Sequence, residues 1–184
     1  ATNNNGSNPI YFDNNGKTIK AYEWAVIGKV YNLPGYNYKV LVVDNSFFKF
    51  DGSFFSTYNV EEDYKGVVTT FVTDISDSFS GSSFYGNLTD SNSDNYGDSF
   101  GFTFWDTSNI TNMARAFKGA YLSTDPTRPI DIDLSNWDVG KVVDMSEMFS
   151  SSSIASPGFE NWNVSNVKNM EKMFYESRAI SDFS

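Results

Sequence analysis

The clearest pattern of apolar and polar positions is a short string that recurs in the second half of the chain. It begins with tryptophan, passes through polar and apolar residues, and ends with phenylalanine. Three segments show it: "WDTSNITNMARAF" at 105–117, "WDVGKVVDMSEMF" at 137–149 and "WNVSNVKNMEKMF" at 162–174. A further segment, "VVTTFVTDISDSF" at 67–79, keeps the apolar positions but has valine in place of tryptophan. Counted in chain order, it is the first of four units. Internal repeats of this kind are typical of folds in which similar units stack.

The spacing of the units along the chain is not constant. The closing phenylalanines, Phe79, Phe117, Phe149 and Phe174, are 38, 32 and 25 residues apart. The shortest interval indicates the bare unit. The longer intervals therefore carry insertions, which we expect to form loops on one side of the stack.

The period of the apolar residues changes within each unit. In the third unit Trp137 and Val139 lie two residues apart, which predicts a short strand with both side chains on one face. After a turn, Met145, Met148 and Phe149 follow at the i, i+3, i+4 spacing of a helix. Each unit is thus predicted to be a short strand, a turn and a short helix.

One such unit is too small to bury its own large apolar residues, so neighbouring units must cover one another. We therefore predict an α/β repeat fold, a leucine-rich-repeat-like solenoid. Its predicted core is Trp105, Trp137, Trp162, Met113, Met145, Met170, Phe117, Phe149 and Phe174. Asp or Asn precedes the predicted helix in all four units, as suits a helix N-cap: Asp74, Asn112, Asp144 and Asn169.

Three parts of the chain differ in composition. Residues 1–8 are a polar and flexible leader, and residues 9–63 contain short β-rich runs broken by Gly and Pro. These runs predict a β-rich N-terminal cap that shields the first coil, although a separate binding domain would show them too. Residues 64–184 are the solenoid of about four units. Phe183 stands at the first position of another unit, so we expect the repeats to continue beyond the chain.

The repeat string resembles a known bacterial sequence family. The pattern [FL]-x-x-W-[DN]-x-[SG]-x-[IV]-x-[DN]-M-x-x-[MA]-F occurs three times, at 102–117, 134–149 and 159–174. It is similar to the short repeats of BspA-like or DUF285 (lipoprotein-associated) surface proteins, a variant of leucine-rich repeats. Residues 15–45 resemble the leader that precedes such repeats. The resemblance implies a secreted or cell-surface bacterial protein with a binding role, without a cofactor or shared catalytic residues.

Composition excludes several functions. A formal net charge of −10 repels a phosphate backbone or an anionic bilayer, so nucleic acid is not an expected partner. The sequence has no cysteine and no histidine, which removes disulfides, thiolate metal sites and histidine-dependent catalysis. No apolar run is long enough to span a bilayer. We expect the protein not to be an enzyme, since its neighbouring carboxylates, such as Asp131 and Asp133, have no recognisable catalytic context.

Residues that alternate with the tryptophan on the predicted strand are candidate binding residues. Stacking would align them in two columns: Phe104, Asn136 and Asn161 in one, and Asp106, Asp138 and Asn163 in the other. Asp and Asn beside aromatic rings can hydrogen-bond a sugar or a protein edge. The plainer interpretation, which we favour, is that they are turn-forming and solvating residues that recur because the unit recurs.

One insertion is a candidate calcium loop. Asp90, Asn92 and Asp94 occupy alternate positions, as oxygen ligands do in calcium loops. The insertion lacks the glycine at the sixth position and the acid at the twelfth, so a mobile polar loop is the preferred interpretation. Calcium binding remains the alternative, and no other cofactor is expected.

The sequence as a whole favours non-catalytic recognition at a bacterial cell surface or outside the cell. We expect adhesion to a protein or glycan through the strand face and the inserted loops. The alternative is a structural subunit of a surface filament or coat that self-associates through the ends of the solenoid.

Overall fold

Short strands and 3-10 turns make up the regular structure. The computed structural model of the protein describes residues 7–48, 64–84, 101–122, 130–155 and 158–177. The strands in these ranges are β1 (Ile10–Phe12), β2 (Ile19–Ala21), β3 (Val30–Asn32), β4 (Lys39–Asp44), β5 (Gly66–Phe71), β6 (Ser83–Phe84), β7 (Tyr121–Leu122), β8 (Ile130–Asp131) and β9 (Ile154–Ala155). The 3-10 turns are Asn45–Phe48, Phe102–Phe104 and Phe159–Asn161.

Two small sheets form the N-terminal part of the structure, and the second includes the start of the first repeat unit. Strands β1 and β2 pair antiparallel as a hairpin, and β4 pairs antiparallel with β3 and in parallel with β5. Gly16 allows the hairpin turn because its φ is +67°, in the left-handed region that disfavours a side chain. Its N–H donates to the carbonyl oxygen of Asp13 at 2.8 Å and closes the turn.

Strand β4 separates two apolar cores. Val40 and Val42 face the core of the N-terminal sheets, whereas Leu41 and Val43 face the core of the repeats. All four side chains are at most 1% exposed. A strand covered on both faces is expected to be apolar throughout, which explains the run "VLVV" in place of polar and apolar alternation.

The prediction of a leucine-rich-repeat-like solenoid, with a strand, a turn and a helix per coil, is wrong. Within the ranges that the structure describes there is no α-helix, and the residues predicted as helices form consecutive turns. Two positions in each unit have a positive φ, at four residues' spacing: Asp77, Arg115, Glu147 and Lys172, then Gly81, Gly119, Ser151 and Glu176. Left-handed residues at this spacing cannot belong to a right-handed helix.

Backbone hydrogen bonds explain why turns replace the helix. In the third unit the N–H groups of Met145 and Glu147 donate to the carbonyls of Asn169 and Glu171 in the fourth, each at 2.9 Å. The N–H of Met148 between them donates to Met145 within the turn, at 3.2 Å. Alternate N–H groups thus reach the next unit, and they are not available for the i→i−4 bonds of a helix.

The units are joined in register along the whole described stack. Parallel β-bridges connect Asp74 to Asn112, Asn112 to Asp144, and Asp144 to Asn169. Short parallel pairs, β6 with β7 and β8 with β9, extend the contacts after the turns. A ladder of backbone hydrogen bonds therefore joins each unit to its neighbour.

The strand predicted at each tryptophan is also wrong, although its alternation of buried and exposed residues is present. Trp137 and Val139 are 4% and 1% exposed while Asp138 between them is exposed, but none of the three lies in a strand. The turns Phe102–Phe104 and Phe159–Asn161 lead into the tryptophans instead. The segment is extended but pairs with no other strand among the described residues, so its side chains alternate between buried and exposed without forming a sheet.

Two columns of parallel rings fill the centre of the stack. Phe79, Phe117, Phe149 and Phe174 follow one another at centroid distances of 5.2, 5.6 and 5.8 Å. Trp105, Trp137 and Trp162 follow at 6.0 and 6.4 Å. The indole N–H of Trp137 donates to the carbonyl of Phe102 at 2.8 Å, and that of Trp162 to Leu134 at 3.2 Å. Each tryptophan thus packs on and hydrogen-bonds to the preceding unit.

Candidate recognition surfaces

The residues predicted to line a strand face form turns. Asp106 is 2% exposed, whereas Asp138 and Asn163 are exposed. In each the side-chain oxygen accepts a hydrogen bond from the N–H two residues later, at 3.2, 2.9 and 3.2 Å. This is the geometry of an Asx turn, which the favoured, plainer interpretation of these residues expected.

The second predicted column is not a uniform surface. Phe104 is half-buried against the core of the N-terminal sheets, and Asn161 is exposed. Asn136 is half-buried, and its Nδ2 has no hydrogen-bond partner. The described residues carry no sheet at this position, so these residues do not line a strand face, and binding by them stays a prediction.

The four residues predicted as helix caps have a different role, because no helix follows them. Asp144 accepts a hydrogen bond from the N–H of Ser146 at 2.8 Å, and the other three bond in the same way two residues on: Asp74, Asn112 and Asn169. Asn169 also donates to Asp144 across the unit boundary at 3.4 Å. Burial raises the pKa of Asp144, but hydrogen bonds from Ser146 and Asn169 outweigh burial and leave this pKa lowered.

The predicted calcium ligands Asp90, Asn92 and Asp94 lie outside the described residues. Among the residues that are described, no group of three or more acidic side chains is placed to hold a metal ion. The proposal of a calcium site stays a prediction.

A column of charges of alternating sign runs along the stack, and sequence reasoning missed it. The left-handed residues Asp77, Arg115, Glu147 and Lys172 occupy one position in successive units. Arg115 donates from Nε and Nη2 to the two carboxylate oxygens of Asp77, each at 2.7 Å. A hydrogen bond from Lys118 lowers the pKa of Glu147. These charged residues could have been found in the sequence, because each lies three residues after the Asp or Asn that forms a β-bridge.

The last described unit leaves its apolar residues exposed. Met113 and Met145 are 0% exposed, but the equivalent Met170 is 42% exposed. Val139 is 1% exposed and its equivalent Val164 is 40% exposed. The remaining predicted core follows the same trend: Trp105, Trp137, Phe117 and Phe149 are buried, and Trp162 and Phe174 are half-buried. We call the surface formed by residues 162–176 the stack end.

Three aromatic residues form a partly exposed cluster on the N-terminal hairpin and the loop after it, in which Tyr11 and Trp24 are half-buried. The rings of Tyr11 and Tyr22 lie 4.5 Å apart, and those of Tyr22 and Trp24 lie 6.0 Å apart with planes within 5° of parallel. Tyr22 is 49% exposed. We call Tyr11, Tyr22 and Trp24 the aromatic strip. Sequence analysis did not identify it, because strand pairing brings Tyr11 to Tyr22.

Charged side chains flank the aromatic strip. Lys20, which interacts electrostatically with Tyr11, pairs with Asp13 at 2.9 Å. Burial lowers the pKa of Lys20, but the carboxylates of Asp13 and Asp106 together outweigh burial and leave this pKa raised. The hydrogen bond from Lys20 lowers the pKa of Asp13. Both groups are therefore charged at neutral pH and can hydrogen-bond a polar ligand.

A cleft of about 390 Å³ lies near the strip, on the edge formed by β3 and β4. Its lining includes Asn8, Asn32, Lys29, Lys39 and Tyr31. The Lys29 ammonium group lies over the ring of Tyr31, 5.2 Å from its centroid. The Tyr31 hydroxyl accepts a hydrogen bond from the N–H of Val26 at 3.1 Å, which ties the cleft to the loop that carries Trp24. Two lysines in one cleft are notable in a chain with net charge −10.

The repeats match a known family. The family model described as "Mycoplasma protein of unknown function, DUF285" matches residues 93–183. Residues 93–183 are thus similar to DUF285 proteins. This confirms the family resemblance of the repeat string, and a DUF285 assignment is compatible with a surface protein without naming a ligand. No curated protein and no solved structure matches the chain significantly.

Within the described residues, no helix is sufficiently long and apolar to span a membrane.

Proposed function

We propose that the protein is a non-catalytic recognition protein, displayed at a cell surface, that binds glycan through the aromatic strip. The nearly parallel rings of the exposed Tyr22 and the half-buried Trp24 carry this proposal. The full sequence supports the non-catalytic part, because it lacks histidine and cysteine, the side chains most often used as catalytic bases and nucleophiles.

The chemistry of the strip suits a sugar better than a nucleic acid or an anionic membrane. A pyranose ring has an apolar face of C–H groups, which packs on aromatic rings, and a rim of hydroxyl groups, which needs hydrogen-bond partners. The strip supplies the rings, and Lys20, Asp13 and the exposed Glu23 supply partners close by in the fold. The net charge of −10 opposes binding to phosphate-rich polymers.

The neighbouring cleft suggests which sugars would bind best. Lys29, whose ammonium group lies over the ring of Tyr31, lines this cleft, and a carboxylate or sulfate group of an acidic sugar would be attracted to it. Asn8 and Asn32 also line the cleft, where the side-chain amide of Asn8 donates to the carbonyl of Asn32 at 2.7 Å. The proposal therefore favours acidic glycans over neutral ones.

Glycan array binding followed by calorimetry tests this function. We expect the chain to bind a subset of glycans enriched in acidic sugars, and the double variant Tyr22→Ala, Trp24→Ala to bind them at least tenfold more weakly. The matched control is Tyr121→Ala, because Tyr121 is another partly exposed tyrosine, 37% exposed, and lies in β7 of the repeats. Unchanged affinity in the double variant, or the absence of any glycan ligand, would rule the proposal out.

The stack end supports a second candidate function, a structural subunit of a surface assembly. Met170 and Val164 are exposed there although their equivalents in earlier units are fully covered. Light scattering after size exclusion tests it. Polymers that grow with concentration would support the structural function, and a monomer at all concentrations would leave recognition as the function.

A further inference from the structure

Two exposed aliphatic residues follow the aromatic strip along the chain. Val26 and Ile27 are 56% and 42% exposed, and no large apolar side chain of the described residues is more exposed than Val26. Isolated apolar residues are common on protein surfaces and need no explanation. These two are adjacent to each other and begin two residues after Trp24, so they lengthen an apolar surface that the strip has already started. We call Val26 and Ile27 the aliphatic pair.

The loop that carries the aliphatic pair is a tight turn fixed to the sheet. The N–H of Lys29 donates to the carbonyl of Val26 at 3.2 Å and closes a four-residue turn. Gly28, the third residue of the turn, has a φ of +80°, as in a type II turn. Its N–H donates to the carbonyl of Val42 in β4 at 2.8 Å. The two aliphatic side chains are therefore held at the surface before any ligand arrives, which lowers the entropy cost of binding.

One aromatic ring joins the aliphatic pair to a positive charge. The hydroxyl of Tyr31 accepts a hydrogen bond from the N–H of Val26 at 3.1 Å, and the ammonium group of Lys29 lies 5.2 Å from the centroid of the same ring. Lys29 is exposed, so its charge is open to a ligand. The surface after the strip thus offers an apolar contact and a cation side by side.

The size of this surface favours a small chemical group over a protein. A stable protein interface takes about 20–30 residues a side. Three large apolar residues are exposed here, Tyr22, Val26 and Ile27, and the charged Glu23 and Lys29 lie among and beside them. A bilayer rich in anionic lipids would be repelled by the net charge of −10. A ligand that combines a short apolar substituent with a negative charge matches what the surface offers.

We propose that the aliphatic pair binds the acyl group of an acylated acidic sugar, an inference that rests on the proposed glycan function of the strip. The sugar ring would pack on Tyr22 and Trp24, and its carboxylate or sulfate group would lie towards Lys29. The methyl of an O-acetyl group would contact Val26 and Ile27, and its removal from water would add affinity. The site would thereby distinguish acidic sugars that carry an acetyl ester from the same sugars without it.

An array of paired acidic oligosaccharides tests this selectivity. Oligomers of galacturonate, glucuronate and mannuronate are printed both with O-acetyl groups and after their removal by mild alkali. The acetyl ester carries no charge, so the two members of a pair have the same charge. We expect each acetylated member that binds the whole chain to bind roughly three- to fivefold more tightly than its deacetylated partner, as measured by calorimetry.

Variants of the loop assign the preference to the aliphatic pair. The double variant Val26→Ser, Ile27→Ser should bind the acetylated form no better than the deacetylated form, while its affinity for the deacetylated form stays unchanged and reports an intact site. Val143→Ser is the matched control, because Val143 is another exposed valine, 39% exposed, in the repeats. It should keep the full preference. Lys29→Gln should weaken both forms by the same factor, since the charge is common to them.

The outcomes separate this inference from the function on which it rests. Equal binding of the two members of each pair would overturn the acyl selectivity and leave glycan binding by the strip intact. A double variant that keeps the preference, or that weakens both forms equally, would also overturn it, because the aliphatic pair would then not contact the acyl group. Failure of every acidic oligosaccharide to bind, while neutral glycans bind, would overturn the preference for acidic ligands together with this inference.

Discussion

At the scale of single residues, the left-handed positions decide the path of the chain. Six residues other than glycine have a positive φ in the described parts, and they recur in repeat register: Asp77, Arg115, Glu147, Ser151, Lys172 and Glu176. A left-handed conformation costs an L-residue about 1–2 kcal/mol, so each is held in place by the bonds around it. The ladder of bonds between units supplies these constraints.

Ser151 and Gly119 allow a reciprocal test, because they occupy the same position in neighbouring units with φ of +55° and +66°. We expect Ser151→Gly to raise the free energy of unfolding by about 0.5–1 kcal/mol, since the strain removed exceeds the entropy that glycine adds to the unfolded chain. Gly119→Ala should lower it by about 1 kcal/mol through strain. Space is not a factor there, because an added Cβ would lie 3.8 Å from its nearest neighbour, Gly81.

Urea unfolding followed by circular dichroism measures both variants against the natural chain. A stabilised Gly119→Ala protein, or a Ser151→Gly protein that is less stable than the parent, would show that the ladder does not impose strain at this position. Gly158→Ala provides a harsher reference, because its φ is +81° and a Cβ there would lie 2.8 Å from Ser135.

Sequence reasoning succeeded for apolar residues and failed for the left-handed ones. The spacing of Trp137, Met145 and Phe149 was enough to predict that they would be buried, and they are at most 4% exposed. Arg115 and Glu147 gave no signal of a turn, because neither residue type is enriched at positive φ. The repeat identifies which residues are buried, but the backbone conformation depends on bonds to another unit.

At the scale of elements, one apolar pattern was compatible with two structures. Met145, Met148 and Phe149 are all buried, as a helix would require. Consecutive turns bury the same three residues, and they also direct alternate N–H groups towards the next unit. A helix would satisfy these groups within one unit, so the pattern of a single unit could not distinguish the two. The hydrogen bonds between stacked units favour the turns over the helix.

The tryptophan column provides a test of stacking between elements. Trp137 is 4% exposed and lies between Trp105 and Trp162, whereas Trp162 is half-buried and has a parallel tryptophan on one side among the described residues. We expect Trp137→Phe to lower the free energy of unfolding by roughly 2 kcal/mol, through lost packing and the lost bond to Phe102. Trp162→Phe should cost roughly half as much.

The two substitutions are chemically identical, so each controls for the other in the same urea titration. Equal losses of stability would mean that a tryptophan needs no unit on its far side, and that the units do not stabilise one another through this column. A larger loss for Trp162→Phe would contradict the described order of the stack.

At the scale of the whole molecule, two sheets and a stack of repeats share the wall formed by β4. The sequence predicted short β-rich runs in residues 9–63, but the burial of the run "VLVV" on both faces required the repeats to pack against it. The aromatic strip likewise could not be predicted, because Tyr11 and Tyr22 become neighbours only when β1 pairs with β2. Local patterns predicted buried residues, and surfaces depended on the complete fold.

The titratable groups of the whole molecule predict how its stability depends on pH. The carboxyl groups of Asp13, Asp133 and Asp144 have lowered pKa values in the folded state. Burial raises the pKa values of Asp133 and Asp144, but hydrogen bonds, including the bonds from Ser135 and Ser146, outweigh the effect of burial. A lowered pKa means that the folded state binds fewer protons than the unfolded state, so these groups stabilise the fold above their unfolded pKa. Their contribution disappears as the pH falls through the folded pKa values.

Two phenols act at the other end of the pH range. Burial raises the pKa of Tyr38 and Tyr64, so their stabilising effect is complete below the unfolded pKa of tyrosine and is lost as the pH rises through the folded values. Because the sequence has no histidine and no cysteine, we expect urea midpoints to be nearly constant from about pH 6 to about pH 9, to fall below about pH 4 and to fall again above about pH 10.

Asp144→Asn should have a lower midpoint at pH 7 and a smaller difference between pH 7 and pH 3. A stability transition centred near pH 6.5 in the natural chain would contradict this assignment, because none of its side chains has an ordinary pKa there.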